Sequence, residues 1–287
     1  VRDVLYETGK IDTAFVPGMV VPIDLPASFA LRTKQKIVAI EAEHPGSTRI
    51  ERIQKEGANV YRVHFSRLGE NLLRVKYGGG LWASLEFFVT EPLETVIKKR
   101  SSFLVTHHQH TDPSKWYVGA YGDWDQKNEI LRGPDDRDGL STWLTDANDD
   151  AGNPRPAFVA SKNVFFPDRK EIESLELYIS KYLWGGMQMT ETEKYPYAIY
   201  GIPNFKANGA SPGPGRHGQA HVWRIYDYPH IVMLYYRMHH IAKFYPHLVK
   251  HLDAATYLER AYRTAVAYTE EADMGPQIGL SVLGLAS

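Results

Sequence analysis

The chain has 287 residues, a net charge of −1, 43% hydrophobic and 23% charged residues, and no cysteine. That is the composition of a globular protein of about two domains. It excludes disulfides, zinc–thiolate sites and thiol nucleophiles, and with Lys98-Lys99-Arg100 as its longest basic run it argues against an electrostatic nucleic-acid binder. No apolar run reaches the length of a membrane-spanning helix, and no Asn-x-Ser/Thr acceptor occurs.

The first 125 residues have mainly the period of strands. In 60-VYRVHFS-66, Tyr61, Val63 and Phe65 alternate with Arg62, His64 and Ser66. The stretch 72-LLRVKYGGGLWASLEFFVT-90 predicts a hairpin, with Leu73, Val75 and Tyr77 on one face and Gly78-Gly79-Gly80 turning the chain. Further strands are predicted at 36–42, 102–107 and 115–122, and a short helix at 91–100, where Pro92 suits a first turn. Short antiparallel strands between turn residues predict a β-sandwich. Residues 123–165 carry 123-DWD-125, 134-PDDRDG-139 and 146-DANDDAGNPRP-156 and have turn and loop chemistry.

Beyond Pro167 the period becomes helical. Asp168 and Glu171 form a capping-box-like start, and Ile172, Leu175, Ile179, Tyr182 and Leu183 make one stripe that stops near Trp184-Gly185-Gly186. A second helix starts at Pro229, with Ile231, Leu234, Tyr235, Met238, Ala242 and Tyr245 on its buried face. Asp253 caps a third, with Leu258, Ala261, Tyr262, Ala265 and Tyr268 predicted inward. The long connection 184–228 is rich in Trp and Tyr, and a long aromatic loop in a compact domain has the marks of function.

A β-sandwich followed by helical hairpins resembles the six-hairpin glycosidase-like superfamily, in which a β-sandwich precedes an (α/α)6 toroid. The segments 85-LEFFVTEPLETVIKKR-100, 146-DANDDAGNPRPAFVASKNVFFP-167, 184-WGGMQMTETEKYPYAIYGIPNF-205 and 223-WRIYDYPH-230 are similar to a bacterial and fungal family of that superfamily. The resemblance implies an α+β multidomain protein. Residues 1–165 would form the antiparallel sandwich, with a loop-rich linker from about 123, and residues 166–287 the start of an α/α-toroid that is incomplete in this chain. The chain is therefore expected to be a piece of a larger protein. The resemblance carries over a carbohydrate-active fold, but no catalytic residue.

Sugar sites combine aromatic faces that stack on pyranose rings with carboxylates that work as acid, base or nucleophile. Trp184, Tyr195, Tyr197, Trp223 and Tyr228 fit the first role, each with an alternative life in an inter-helix core. Asp227, just before a helix start, and Glu191 and Glu193 in 190-TETEKYPY-197 are the candidate catalytic carboxylates; helix capping and loop solvation are their plain alternatives. Arg224 and His230 flank Asp227, and an Arg, Tyr and His group also suits a uronate-cleaving lyase, in which Arg neutralises the sugar carboxylate. Asp149 and Asp150 can contact hydroxyls; their segment lacks the order of a calcium loop. His239-His240 diverge on a helix, and His107, His108 and His110 lack a further placed ligand, so no metal and no cofactor is implied. The expected function is a glycoside hydrolase acting on a poly- or oligosaccharide, with a polysaccharide lyase or a non-catalytic glycan-binding module as alternatives. A secreted or periplasmic location is expected, with neither a membrane nor nucleic acid as partner and the oligomeric state open.

Overall fold

The computed structural model describes residues 12–16, 18–55, 58–133, 154–199 and 228–270. The chain divides into two compact units, Val1–Ile97 and Lys98–Ser287.

The first unit holds eight strands: β1 (Asp12–Val16), β2 (Val20–Pro22), β3 (Ala27–Arg32), β4 (Ile37–Ala42), β5 (Thr48–Lys55), β6 (Ala58–Phe65), β7 (Gly69–Tyr77) and β8 (Leu81–Thr90). They form two four-stranded sheets, ordered β1-β3-β6-β5 and β2-β8-β7-β4. All pairings are antiparallel except that β2 joins β8 in parallel. Alternation sorts the side chains as predicted. Leu73, Val75, Tyr77, Leu85, Phe87 and Val89 of one sheet meet Ala27, Phe29, Leu31, Tyr61, Val63 and Phe65 of the other in one apolar core. Phe87 is its hub, with the rings of Phe15, Phe29 and Phe65 centred 5.7, 6.2 and 5.2 Å away. The β7–β8 turn needs its glycines, since Gly78 and Gly80 have φ of 56° and 100°.

The second unit is helical. Helix α1 (Leu93–His107) carries the backbone into it. It is followed by α2 (Pro154–Phe165), α3 (Arg169–Leu177), a π-helical turn (Tyr178–Leu183), α4 (Tyr228–Phe244) and α5 (Ala254–Glu270). A short ribbon pairs β9 (Trp124–Asp125) with β10 (Ile130–Leu131). Helix α2 packs on α4, and α4 and α5 form a hairpin across the short turn at Pro246–Leu248. The stripe predicted for α3 is buried, and so is that for α4 except Tyr245, which is half-buried just past the end of the helix. The described helices close no toroid.

Four expectations change. Residues 102–107 continue helix α1 and are not a strand: Ser101 and Leu104 are buried on one helical face. Residues 115–122 fold as turns, because Gly119 takes a φ of 90° and a Cβ there would sit 2.8 Å from the Leu177 carbonyl oxygen. The segment expected as linker contains helix α2, whose Pro154 and Pro156 lie in the first turn, where no intrahelical N–H is lost. The unit boundary therefore falls at Ile97 and not near 165: Leu104, Tyr121, Val159 and Ala160 belong to the helical core.

Candidate functional site

The site begins where α3 ends. Asp168 caps α3 by accepting the Glu171 N–H at 3.1 Å. Glu171 does not complete a capping box. Its Oε2 accepts from Ser101 Oγ (2.5 Å) and Asn163 Nδ2 (2.8 Å) and lies 3.0 Å from Lys162 Nζ, all of these groups being buried. This polar knot ties α1, α2 and α3 together.

The π turn after α3 ends with the Trp184 N–H donating to the Ile179 carbonyl at 2.9 Å. Such turns are frequent at functional sites. The chain then reverses through Gly185, at a φ of 76°, and Gly186, where any Cβ would collide with the Tyr182 carbonyl. Gln188, fully buried, fastens this loop to both helices of the hairpin. Its Nε2 donates to Tyr197 O (2.9 Å) and to Thr264 Oγ1 (2.8 Å), and its Oε1 accepts from the Tyr235 hydroxyl (2.8 Å). Tyr197 has a φ of 65°, a left-handed conformation uncommon for a bulky residue. It is held there by that bond and by its own N–H, which donates to Met189 O at 3.1 Å.

The result is an aromatic corner. The rings of Trp184 and Tyr197 are centred 5.3 Å apart at 53°. The Arg260 guanidinium, from α5, stacks 3.7 Å above the Trp184 ring and stands 5.9 Å from that of Tyr235. Arg260 Nη1 is buried and finds no hydrogen-bond partner among the described residues. Its neighbour Glu259 pairs with Arg263 at 2.7 Å. Burial, then the charges of Glu191 and Glu259, push the Tyr197 phenol up, against the pull of Arg263 and Arg260. Tyr197 is thus a proton donor at neutral pH. Tyr235, fully buried, is pushed up by burial as well.

The structure brings Trp184 and Tyr197 together, while Glu191 is exposed and reaches Tyr197 only through its charge. Tyr195 is half-buried at the edge of the core beneath the Lys194 ammonium. Glu193 Oε2 accepts from Thr190 N (2.7 Å) and Thr190 Oγ1 (3.0 Å), so its carboxylate closes the loop's own turn instead of facing an open cleft. Tyr228 is fully buried, its hydroxyl accepting the Ile199 N–H at 3.0 Å; that is the position of a core residue, not of a ligand contact. His230 sits in the first turn of α4. Asp149, Asp150, Trp223, Arg224 and Asp227 lie outside the described residues. Two of the histidines set aside as metal ligands bond backbone carbonyls: His108 Nδ1 bonds Gly122 O at 2.8 Å and His110 Nε2 bonds Arg132 O at 3.0 Å. Among the described residues no group of three or more His, Asp or Glu is placed to hold a metal ion, and no helix is long and apolar enough to cross a membrane.

A family profile described as "Family of unknown function (DUF5695)" matches residues 1–204 and 214–282. The chain belongs to DUF5695. A solved polysaccharide lyase is similar in fold to this DUF5695 chain, with a TM-score of 0.60 and 18% identity over 100% of the chain. The chain spans 39% of that structure's length. No curated protein matches it.

Arg260 escaped the sequence reading. The stripe predicted for α5 used Leu258, Ala261, Tyr262, Ala265 and Tyr268, whereas Tyr257, Ala261, Thr264 and Ala267 are buried and Leu258 and Tyr262 are exposed. On the correct face Arg260 stands three residues after Tyr257 and four before Thr264. A cation within a buried stripe was the signal.

Proposed function

We propose that this chain forms part of a carbohydrate-active enzyme that cleaves an acidic poly- or oligosaccharide by β-elimination. The reading rests on one observation: Arg260, partly exposed and stacked on Trp184, pairs with no carboxylate among the described residues, its neighbour Glu259 being taken by Arg263. A sugar carboxylate supplies the partner that a planar guanidinium fork suits. Trp184 and Tyr197 then stack on the ring. The cation stabilises the charge that builds on the carboxylate when the α-proton is withdrawn. The C4–O bond breaks, a C4–C5 double bond forms, and the departing oxygen takes a proton, for which the protonated Tyr197 phenol is suited. His230, in the first turn of α4, is one candidate base, and Asp227, outside the described residues, is the other. The fold likeness to a polysaccharide lyase supports this reading. A polymeric substrate places the protein outside the cytoplasm, secreted or periplasmic.

Glycoside hydrolysis is the second reading. It needs two free carboxylates flanking one bond, about 5–5.5 or 6.5–9.5 Å apart. Glu193 is engaged in its turn, which leaves Glu191 and Asp227.

The test is digestion of uronate-containing polysaccharides by the full-length protein. Elimination raises the ultraviolet absorbance of an unsaturated uronate, and Arg260→Gln lowers kcat/KM about 10–100-fold, the loss expected for one charge-assisted hydrogen bond. New reducing ends without that absorbance overturn the lyase reading in favour of hydrolysis.

A further inference from the structure

The sandwich carries an aromatic-and-cation pair of its own. Trp82 opens β8 and is 59% exposed, beside Leu81 at 49% and Val38 at 62%. Side chains alternate along β8, so Leu85, Phe87 and Val89 fill the core while Trp82 points out of the sheet. Its cross-strand partner is Lys76, and Arg74 is the diagonal neighbour two residues along β7. The Arg74 guanidinium lies 5.1 Å from the Trp82 ring centre. Lys76 is neutralised by Glu41 at 2.6 Å, whereas Arg74 has no ion pair among the described residues. These groups and the Gly78–Gly80 turn line a shallow cavity of about 300 Å³. Trp82, Leu81 and Val38 line this cavity together, so the indole belongs to a contiguous exposed apolar patch beside a cation with no ion pair among the described residues, a combination that suits a glycan.

We propose that this outer face of sheet β2-β8-β7-β4 is a second glycan-binding surface, selective for acidic polysaccharide. It rests on the reading that the protein handles acidic sugars. One face of the Trp82 indole stacks on a pyranose ring. Arg74, already oriented by the indole, presents its fork to the sugar's carboxylate. The charge selects the ligand: Arg74 has no ion pair among the described residues, because Glu41, its cross-strand neighbour on β4, is held by Lys76 instead. A surface of this kind holds polymer and performs no cleavage.

Affinity electrophoresis of the full-length protein tests it, in gels containing polygalacturonate, alginate, hyaluronan or xanthan, with neutral dextran as comparison. The wild type is expected to be retarded by at least one acidic polymer and not by dextran. Trp82→Ala should bind that polymer at least about tenfold more weakly, as expected for an aromatic hot spot. Arg74→Gln should weaken binding and flatten its dependence on salt. Both side chains are exposed, and an unchanged unfolding midpoint shows that each variant is folded. Retardation independent of Trp82, or equal in dextran, overturns the proposal. So does a Trp82→Ala variant that changes sedimentation while its retardation stays the same, which would mark a self-association face. Turnover with retardation independent of Trp82 sinks the surface and leaves the enzyme reading standing. Trp82-dependent retardation without turnover does the reverse.

Discussion

The two units are stabilised by different kinds of core. The sandwich interior is aliphatic and phenylalanine-rich, and its one buried polar residue among those described, Asn71, bonds the local carbonyls of Arg67 and Gly69. The helical interior is built on tyrosine and threaded with polar groups: Gln109 and Ser174, Lys162 and Glu171, Gln188 and Thr264. An apolar core rewards fit but tolerates many arrangements. A buried hydrogen-bond network accepts one, since each unmade bond strands a polar group. The aromatic corner at Trp184 and Tyr197 hangs from such a network, through Gln188. That is why the helical unit holds the candidate site and the sandwich offers only a surface.

Deletion experiments give the sharpest break in this contrast. Phe87→Ala removes the ring at the centre of the sandwich and should cost about 3–5 kcal/mol. Glu171→Leu leaves Lys162 buried without its partner and should cost a similar 3–5 kcal/mol. The units part on the rescue. Adding Lys162→Met to Glu171→Leu should recover much of the loss, because the one stranded charge becomes apolar volume. No second substitution refills the Phe87 hole so simply. Urea unfolding followed by hydrogen exchange, read peptide by peptide, would show which unit opens. A double variant no more stable than Glu171→Leu would mean that the knot holds α1, α2 and α3 by shape and not by charge.

The same contrast explains what was legible in the sequence. Period-2 alternation is dictated by burial alone, so β6, β7 and β8 and their inward faces read correctly. The helical unit defeated reading where local chemistry and packing diverged. Val105 and Thr106 are strand formers, yet helix α1 runs through them, because Ser101 and Leu104 face its core. Pro154 and Pro156 look like breakers, yet they start a helix. On α5 a reading shifted by one residue hid Arg260, which a purely apolar template cannot place. Trp184 and Tyr197 were found as members of one aromatic loop. Their meeting with Arg260 was not, because it depends on the π turn and on Gln188, neither of which has a sequence period.

Acid should separate the units more gently. Three histidines of the helical unit have depressed basicity, chiefly through burial: His108, also beside Arg155 and Arg100; His251, beside Arg260; and His240, beside His239. A histidine whose folded pKa lies below its unfolded value of about 6.5 binds fewer protons in the native state. Its contribution is therefore fully present above about pH 6.5 and is lost as pH falls toward the folded pKa. Lowering pH from about 7.5 to 5.5 should loosen exchange protection in the helical peptides. His108→Gln, which keeps a donor for the Gly122 carbonyl, should flatten that slope. A slope unchanged in this variant would assign the acid sensitivity to His240 and His251.

The smallest effect should come from a cap. Asp253 accepts the Thr256 N–H at 2.7 Å at the start of α5, and this bond holds its carboxyl below the usual range. Asp253→Ala should lower the unfolding midpoint by a small, measurable amount and Asp253→Asn by much less, since asparagine caps nearly as well. The residue is far from chemistry in sequence, yet α5 carries Arg260. If the first turn of α5 positions that guanidinium, the Ala variant should lower kcat/KM on an acidic polysaccharide more than its stability loss explains, while the Asn variant should not. If α5 is instead fixed by Tyr257, Ala261 and Thr264 in the core, both variants should keep wild-type kcat/KM. The polar core would then alone set the geometry of the corner.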